Sequence, residues 1–153
     1  MKTGKSKYPN TYYRVSIKAI IRNERGEVLV ARENPEIWNL VGGGMDHGET
    51  PLGALTREIY EEACIDSPFE ATIEGVDSRY LESLHAYYMW VVYSLRFDSG
   101  VPVYGVGADA HEVAFIDPKT FYGSLHLTER QIYKWTVDRT YDIYDDMNLD
   151  AEK

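Results

Sequence analysis

The chain has 153 residues, the length of one ordinary domain, and a formal net charge of −9. Its apolar content of 44% and aromatic content of 13% exclude a disordered or low-complexity chain. No window approaches the roughly 20 apolar residues that cross a bilayer, which predicts no membrane span. Residues 1–10 are basic and polar, without the apolar segment of a secretory signal. Cys64 is the single cysteine, so an internal disulfide is excluded and a reducing, cytoplasmic location is predicted.

The charge is unevenly distributed along the chain. Residues 1–22 contain six Lys or Arg and no acid, so the other 131 residues carry a net charge of −15. A phosphate backbone would meet a repulsive field over most of this chain, which disfavours a nucleic-acid polymer as partner. Acidic side chains that approach a phosphate need a cation between the two groups. The composition therefore directs attention to clustered acids that could hold a metal.

The first half of the chain predicts two strands and a glycine-rich loop. Residues 11–22 alternate between apolar and polar side chains, which is typical of a half-buried strand. Residues 23–26 predict a turn and residues 27–32 a second strand, so the two strands are expected to form a hairpin. Three consecutive glycines at 42–44 predict a loop. Thr50 followed by Pro51 predicts the start of a helix, with Thr50 as the N-cap.

The second half predicts further strands and a final helix. Residues 69–73 alternate, residues 84–97 are apolar on both faces as in a central strand, and residues 113–116 predict a short strand. Thr128 and Gln131 form a capping-box pattern that predicts a helix to about residue 144. Strands interleaved with two helices predict a mixed sheet with helices on both faces. We expect one domain over residues 11–146, between a flexible basic N-terminus (1–10) and an acidic tail (147–153).

The helix that begins at Pro51 carries three glutamates close together. Glu58, Glu61 and Glu62 are related by i, i+3 and i+4, so their carboxylates fall within an arc of roughly 100° beside the apolar face. Like charges at this spacing destabilise a helix by a few tenths of a kcal/mol, roughly, for each pair. Hard divalent cations such as Mg²⁺ prefer oxygen ligands. The cluster is therefore either a metal site or a solvated acidic face in which Arg57 and Glu61 form an ordinary ion pair.

The spacing around these glutamates resembles a known sequence motif. Gly43, Glu49 and the run Arg57-Glu58-Ile59-Tyr60-Glu61-Glu62-Ala63-Cys64-Ile65 resemble the Nudix box, G-x5-E-x7-R-E-U-x-E-E-x-G-U, where U is aliphatic. The preceding residues 38–43 are similar to the W-x-L-P-G-G that leads into the box. Two positions depart from the pattern. Cys64 replaces a glycine where a left-handed C-cap is expected, which either costs about 1 kcal/mol or forces a slightly different exit from the helix, and Val41 replaces a proline.

The resemblance implies the fold, the chemistry and the site. The Nudix fold is an α/β/α sandwich with a central mixed β-sheet, and the reaction is Mg²⁺- or Mn²⁺-dependent hydrolysis of a nucleoside diphosphate linked to another group. The implied metal ligands are Glu58, Glu61, Glu62 and the carbonyl of Gly42. The implied catalytic residues are Glu58, Glu61 and Arg57, with Glu49 and Gly43 as structural support. A base outside the box is also known in the family, and Glu112, with Asp109 behind it, is the candidate here, although an exposed loop acid is an equal alternative.

The substrate is less clearly indicated than the reaction. Motifs typical of NADH pyrophosphatases, coenzyme A hydrolases and ADP-ribose hydrolases are missing, which leaves (deoxy)nucleoside triphosphates first and nucleotide sugars next. The alternative function is a non-catalytic Nudix-fold sensor of a nucleotide metabolite, although no acid of the box is lost. The isomerase branch of the family uses a cysteine in a separate motif. The single cysteine here, Cys64, lies inside the box, which disfavours an isomerase. The resemblance also implies that a homodimer is possible.

Other polar and aromatic residues have a simple structural interpretation. Arg32, Lys18 and Arg22 lie on the hairpin that borders the substrate cleft in the family and could offset phosphate charge, with Arg32 as the candidate substrate ligand. Solvated positions on a strand face are the simpler expectation for all three. One aromatic run could stack a nucleobase, but core packing is the simpler expectation for its members, Tyr87, Tyr88, Trp90 and Tyr93.

Overall fold

The computed structural model describes residues 12–141. Its main elements are β1 (Tyr13–Ile20), β2 (Val28–Arg32), β3 (Asn39–Gly44), α1 (Pro51–Ala63), β4 (Phe69–Leu81), β5 (Ala86–Phe97), β6 (Glu112–Ile116) and α2 (Leu127–Tyr133). Short 3₁₀ turns lie at Glu82–Leu84 and Pro118–Phe121, and a π-helical turn, Lys134–Asp138, continues α2. The predicted segments 1–10 and 147–153 lie outside the described residues.

The strands form one sheet in the order β4-β5-β1-β3-β2-β6. β1 and β5 are parallel and the other neighbours are antiparallel, so the predicted mixed sheet is confirmed. The prediction that β1 and β2 pair as a hairpin is wrong, although the turn between them forms. Arg22 bridges Val28, but β3 then lies between the two strands. Alternation identifies a strand without identifying its neighbour, which here is set by long-range pairing.

Each face of the sheet has its own hydrophobic core. On one face, Ile17 of β1 packs in a cluster with Leu55 and Ile59 of α1. On the opposite face, Leu40 of β3 belongs to a cluster with Ile132 of α2. One helix therefore covers each side of the sheet, as the predicted α/β/α sandwich requires. Neither helix within residues 12–141 combines the length and the apolar composition that a bilayer crossing needs.

Helix α1 begins and ends where the sequence predicts. The Thr50 hydroxyl accepts a hydrogen bond from the Gly53 N–H at 3.1 Å, and Pro51 occupies the first helical turn. Cys64 ends the helix in the left-handed conformation, with φ 55°. The chain thus keeps the exit that a glycine would allow, although a Cβ makes this conformation less favourable.

The glycines at 42–44 are not a loop, in contrast to the prediction. They form the end of β3 and pair with β1, where Gly42 lies opposite Lys18 and Gly43 opposite Ile17. Gly42 has φ +136°, and a Cβ there would lie 2.0 Å from the Ile17 carbonyl oxygen. Gly42 is therefore needed for close backbone approach within the sheet, a reason that composition does not distinguish from loop flexibility.

The strand predicted at 69–73 is too short. β4 extends to Leu81, and its register against β5 shifts between Ile73 and Gly75. This edge strand is exposed along much of its length, and the bulge interrupts its alternation, so the sequence pattern stops at the irregularity. The central strand predicted at 84–97 corresponds to β5, which lies next to this edge strand and is buried mainly in its second half.

The start and end of the last helix differ from the prediction. His126 is the N-cap, and Thr128 lies inside the first turn, where its hydroxyl donates to the Trp38 carbonyl at 2.9 Å. A tertiary hydrogen bond therefore replaces the predicted capping box. Helical structure ends at Asp138, followed by Arg139 at φ 54°, rather than near residue 144.

The loop before β6 is hydrogen-bonded to the carboxyl end of α1. The N–H groups of Gly105, Gly107 and Asp109 donate to the carbonyls of Ala63, Glu62 and Glu61, at 2.9, 2.8 and 3.2 Å respectively. The last carbonyls of a helix have no partner within the helix, so the loop satisfies groups that otherwise need water or a cap. A Cβ on Gly107 would lie 2.0 Å from the Glu61 carbonyl oxygen, so this contact requires glycine.

We expect Gly107→Ala to destabilise the protein by about 1–3 kcal/mol, because the added methyl group separates the loop from α1 and leaves helix carbonyls without their partners. Urea unfolding monitored by circular dichroism measures the change. Gly105→Ala is the matched control, since a Cβ at that position meets only the Cys64 side chain at 3.9 Å. Equal stability of the two variants would show that the loop is not held by this contact.

Candidate functional site

The glutamates of α1 lie beside the glycine end of β3. Glu62 is buried, with 5% of its surface exposed, and its Oε1 accepts a hydrogen bond from the Gly42 N–H at 2.7 Å. A Cβ on Gly43 would lie 2.7 Å from both carboxylate oxygens of Glu58. Gly43 therefore lets the Glu58 carboxylate approach the strand backbone, where a larger residue would push it away.

Burial changes the acidity of two of these carboxylates. Desolvation raises the pKa of Glu62 from its ordinary value of 4.5 to about 7, against the opposing effects of Lys18 and of the Gly42 hydrogen bond. Desolvation also raises the pKa of Glu58, and the hydrogen bond from Arg57 opposes this shift. Both side chains are thus carboxylates with too little compensating positive charge, which is the condition that a bound cation relieves.

Arg57 connects the loop before α1 to the glutamate cluster. Its Nε and Nη2 donate to the two carboxylate oxygens of Glu49, both at 2.8 Å, and its Nη1 donates to Glu58 and Glu61, both at 3.0 Å. Its Nη2 also donates to the Gly44 carbonyl at 3.0 Å. The hydrogen bonds from Arg57 lower the pKa of Glu49 to about 2, and a hydrogen bond from the Asp46 N–H makes a smaller contribution in the same direction. The same contacts raise the pKa of Arg57. Arg57 therefore joins Glu49 of the loop to Glu58 and Glu61 of α1.

Lys18 is a second cation at this site, and the expectation of a solvated strand position is wrong for it. Only 4% of its surface is exposed. Its Nζ donates to the carbonyls of Gly42 at 3.1 Å and Leu40 at 3.3 Å. Desolvation lowers the pKa of Lys18, and the nearby charges of Glu62, Glu58 and Glu33 oppose the shift. Alternation in β1 does not reveal this environment, because β3 comes from a later part of the sequence.

A cavity of about 560 Å³ opens beside the cluster. For three of its lining residues, Glu33, Asp109 and His111, the sequence predicts no role or only a secondary one. The residues that line it are Glu33, Gly42, Gly43, Gly44, Glu58, Glu62, Ala108, Asp109, Ala110 and His111. Glu61, Arg57 and Glu49 are not among them, although Arg57 is hydrogen-bonded to Glu49, Glu58 and Glu61. The loop that caps α1 supplies Ala108–His111, and the flanking glycines 105 and 107 are the sequence signal that could have indicated a close contact.

Glu112 and Arg32 face each other rather than the cavity. They form an ion pair between β6 and β2, where they are partners in the strand register. The guanidinium of Arg32 also lies 4.4 Å from the centre of the Trp38 ring and donates to the Pro35 carbonyl. Neither side chain lines the cavity, whereas Asp109 does. Their predicted roles in catalysis and substrate binding stay predictions.

The aromatic run is divided between core and surface. Trp90 and Tyr93 are buried, with 6% and 8% exposed, as core packing predicts. Tyr87 is 43% exposed, and its ring centre lies 5.3 Å from that of Tyr13 and 4.9 Å from that of Tyr80. Arg22, which follows the end of β1, donates to the Thr136 carbonyl at 2.8 Å, so it contacts the π-helical turn instead of being simply solvated.

The predicted metal ligands provide a suitable set of donors. Carboxylate oxygens of Glu58 and Glu62 and the backbone of Gly42 meet at the cavity, and these are the hard ligands that Mg²⁺ and Mn²⁺ take. Within residues 12–141, no three His, Cys, Asp or Glu side chains are already arranged as a complete metal site. The hydrogen bonds explain this, because Arg57 and the Gly42 N–H orient the carboxylates toward protein partners. The chemical type of these donors nevertheless fits such an ion.

We expect the metal-free protein to lose stability as the pH rises from about 4.5 to about 7. The folded state holds a proton on Glu62 in this range and the unfolded state does not, so the loss amounts to at most about 3 kcal/mol and levels off above the folded pKa. Thermal unfolding in EDTA across this range measures it. Glu62→Gln keeps the acceptor for the Gly42 N–H and should flatten the slope. An unchanged slope in that variant would assign the effect to other groups.

Comparison with known proteins agrees with the geometry of the site. RNA pyrophosphohydrolase from Psychrobacter sp. (strain PRwf-1) is 34% identical over 84 residues, which cover 54% of this chain and 42% of that protein. The enzyme of the same name from Rhodospirillum rubrum is 44% identical over 52 residues, 33% of this chain and 32% of that protein. The chain therefore spans less than half the length of these curated relatives.

Solved structures and a family model cover more of the chain. The MutT protein from Methanosarcina mazei Go1 superposes with a TM-score of 0.67 at 23% identity, over 86% of this chain and 97% of that one. The MutT NUDIX hydrolase from Burkholderia pseudomallei gives a TM-score of 0.64 at 27% identity, over 82% and 98%. The model of the NUDIX domain matches residues 12–136. With the box, the sandwich and the carboxylate cluster in agreement, the chain belongs to the Nudix family.

Proposed function

We propose that this chain is a Mg²⁺- or Mn²⁺-dependent hydrolase of the diphosphate linkage in a nucleoside diphosphate derivative. The observation that carries the proposal is the meeting of Glu58, Glu62 and the Gly42 backbone at the cavity, with both carboxylates short of positive charge. The relatives and the MutT structures, named above, support the same class of reaction. The proposed substrates are (deoxy)nucleoside triphosphates first and nucleotide sugars next.

The proposed roles combine the family motif with the contacts of each side chain. Glu58, Glu61, Glu62 and the Gly42 carbonyl would hold the metal, which supplies polarisation of a phosphoryl oxygen and a lower pKa of the attacking water. Arg57 keeps Glu58 and Glu61 oriented through its hydrogen bonds to them. Glu49 in turn holds Arg57, and Gly43 leaves room for the Glu58 carboxylate. These residues thus form the catalytic group and its support.

The base that removes the proton from water is proposed to be an acid at the cavity. Water attacks phosphorus, the bond to the leaving phosphate oxygen breaks, and a carboxylate takes the proton of the water. Asp109 lines the cavity, and its own N–H is hydrogen-bonded to the carbonyl of Glu61. Glu112 is occupied by its ion pair with Arg32. We therefore prefer Asp109, and Glu112 and the glutamates of α1 are the alternatives.

The acidic lining of the cavity and the net charge favour small substrates that arrive with a metal ion. Polymeric RNA would have to approach a chain of net charge −9. A second candidate, the 5′-triphosphate end of an RNA, is nevertheless favoured by the relatives named RNA pyrophosphohydrolase. A cytoplasmic location and a homodimer stay predictions, and sedimentation velocity would test the latter.

Substrate preference is tested with a panel of NTPs, dNTPs, nucleotide sugars and a short 5′-triphosphate RNA, with Mg²⁺ or Mn²⁺. Chromatography of the cleaved products detects turnover, because cleavage of a nucleotide sugar yields two phosphomonoesters and no free phosphate. We expect turnover of at least one mononucleotide, faster than that of the RNA because of its lower charge. Glu62→Gln is the control and should lose at least about 100-fold in kcat. Nucleotide binding without turnover by the metal-loaded, folded protein would instead support a sensor.

The choice of base is tested by a pair of neutral variants. Asp109→Asn should lower kcat by about 100-fold if its carboxylate takes the proton, while Glu112→Gln should change it by less than about threefold. Rate profiles against pH distinguish loss of a base from loss of binding, since only loss of the base removes the acidic limb. The reverse ranking of the two variants would identify Glu112 as the base. Near-normal rates for both variants would leave the glutamates of α1 as the candidate bases.

A further inference from the structure

Lys18 lies where its positive charge meets the donors that the proposed metal would use. Its Nζ is 3.1 Å from the carbonyl oxygen of Gly42 and 3.3 Å from that of Leu40. Lys18 is almost completely buried, and the acids whose charges act on it are Glu62, Glu58 and Glu33. A buried lysine is unusual unless it is paired, and here its hydrogen-bond partners are two carbonyls, with the charges of nearby carboxylates acting on it.

The backbone holds this contact in place from both sides. The register of β1 and β3 puts Lys18 directly opposite Gly42. The Gly42 N–H is bound by Glu62 at 2.7 Å while its carbonyl accepts from Lys18. The Gly42 Cα also lies so close to β1 that an added Cβ would be 2.0 Å from the Ile17 carbonyl oxygen. Hydrogen bonds on both sides therefore hold the Gly42 peptide in this orientation, and its carbonyl oxygen already faces a cation.

We propose that Lys18 is an internal counter-cation that takes the place of a divalent metal at the Gly42 carbonyl and must leave this oxygen when the metal binds. The inference rests on the proposed function in one respect, because it takes Gly42 and the glutamates as the metal ligands. Two cations that share one carbonyl oxygen in a partly buried site repel each other strongly. Lys18 thus stabilises the metal-free carboxylates and weakens metal affinity, as a positioning residue.

Mn²⁺ binding without any nucleotide tests this directly. Titration calorimetry or the electron paramagnetic resonance of free Mn²⁺ gives the affinity of the wild type, of Lys18→Met and of Lys119→Met, an exposed control. We expect Lys18→Met to bind Mn²⁺ at least about tenfold more tightly, with a lower Tm in EDTA and a larger rise in Tm on adding Mn²⁺. Lys119→Met should match the wild type. Equal or weaker Mn²⁺ binding by Lys18→Met would overturn the proposal.

A measurement on the wild type decides the question if Lys18→Met does not fold. In protein labelled with ¹⁵N-lysine, the Nζ resonance of Lys18 should shift on saturation with Mg²⁺, because its acceptor is taken over. An unchanged resonance at saturation would overturn the proposal. Because no substrate is present, failure to hydrolyse any nucleotide would contradict the proposed function without altering this result. Absence of Mn²⁺ binding by the wild type would overturn both.

Discussion

The contact between helix α1 and strand β3 determines most of what this site can do. Glu62 is buried against the strand and accepts a hydrogen bond from the Gly42 N–H. The Glu58 carboxylate occupies the space that any side chain at position 43 would take. Burying carboxylates is costly unless positive charge or hydrogen-bond donors compensate them. The surrounding structure supplies both, through the Gly42 N–H and two basic side chains, and desolvation still raises the pKa of Glu58 and Glu62.

The two basic side chains act from different directions and in different environments. Arg57 is partly exposed, and its fork of donors holds Glu49, Glu58 and Glu61 together, so it orients the acids from the solvent side. Lys18 is buried in the sheet and contacts the backbone carbonyl instead of the carboxylates themselves. Orientation of the ligands and compensation of buried charge are thus separate tasks, performed by separate residues on separate elements.

The loop before β6 shows how fold and site depend on each other. Its N–H groups complete the carboxyl end of α1, and the same backbone contact carries Asp109 to the cavity. Gly107 is required because the loop and the helix backbone nearly touch. The sequence pattern contained the glycines and the acid but did not relate them to α1, because the contact joins segments more than 40 residues apart. Glu112 lies three residues farther on, and pairing of β6 with β2 turns it to Arg32.

Local sequence was sufficient for what local physics controls. The start of α1 at Thr50-Pro51, its left-handed end at Cys64, the helical spacing of its glutamates and the family motif could all be read from a continuous segment, because capping and helical periodicity involve neighbours within a few residues. Tertiary structure decided which strand lies beside which, that the glycines at 42–44 form a strand, that Lys18 is buried, and that Thr128 bonds to Trp38 instead of capping a helix. Each of these depends on pairing or burial between distant segments, where the partner and not the residue type sets the environment.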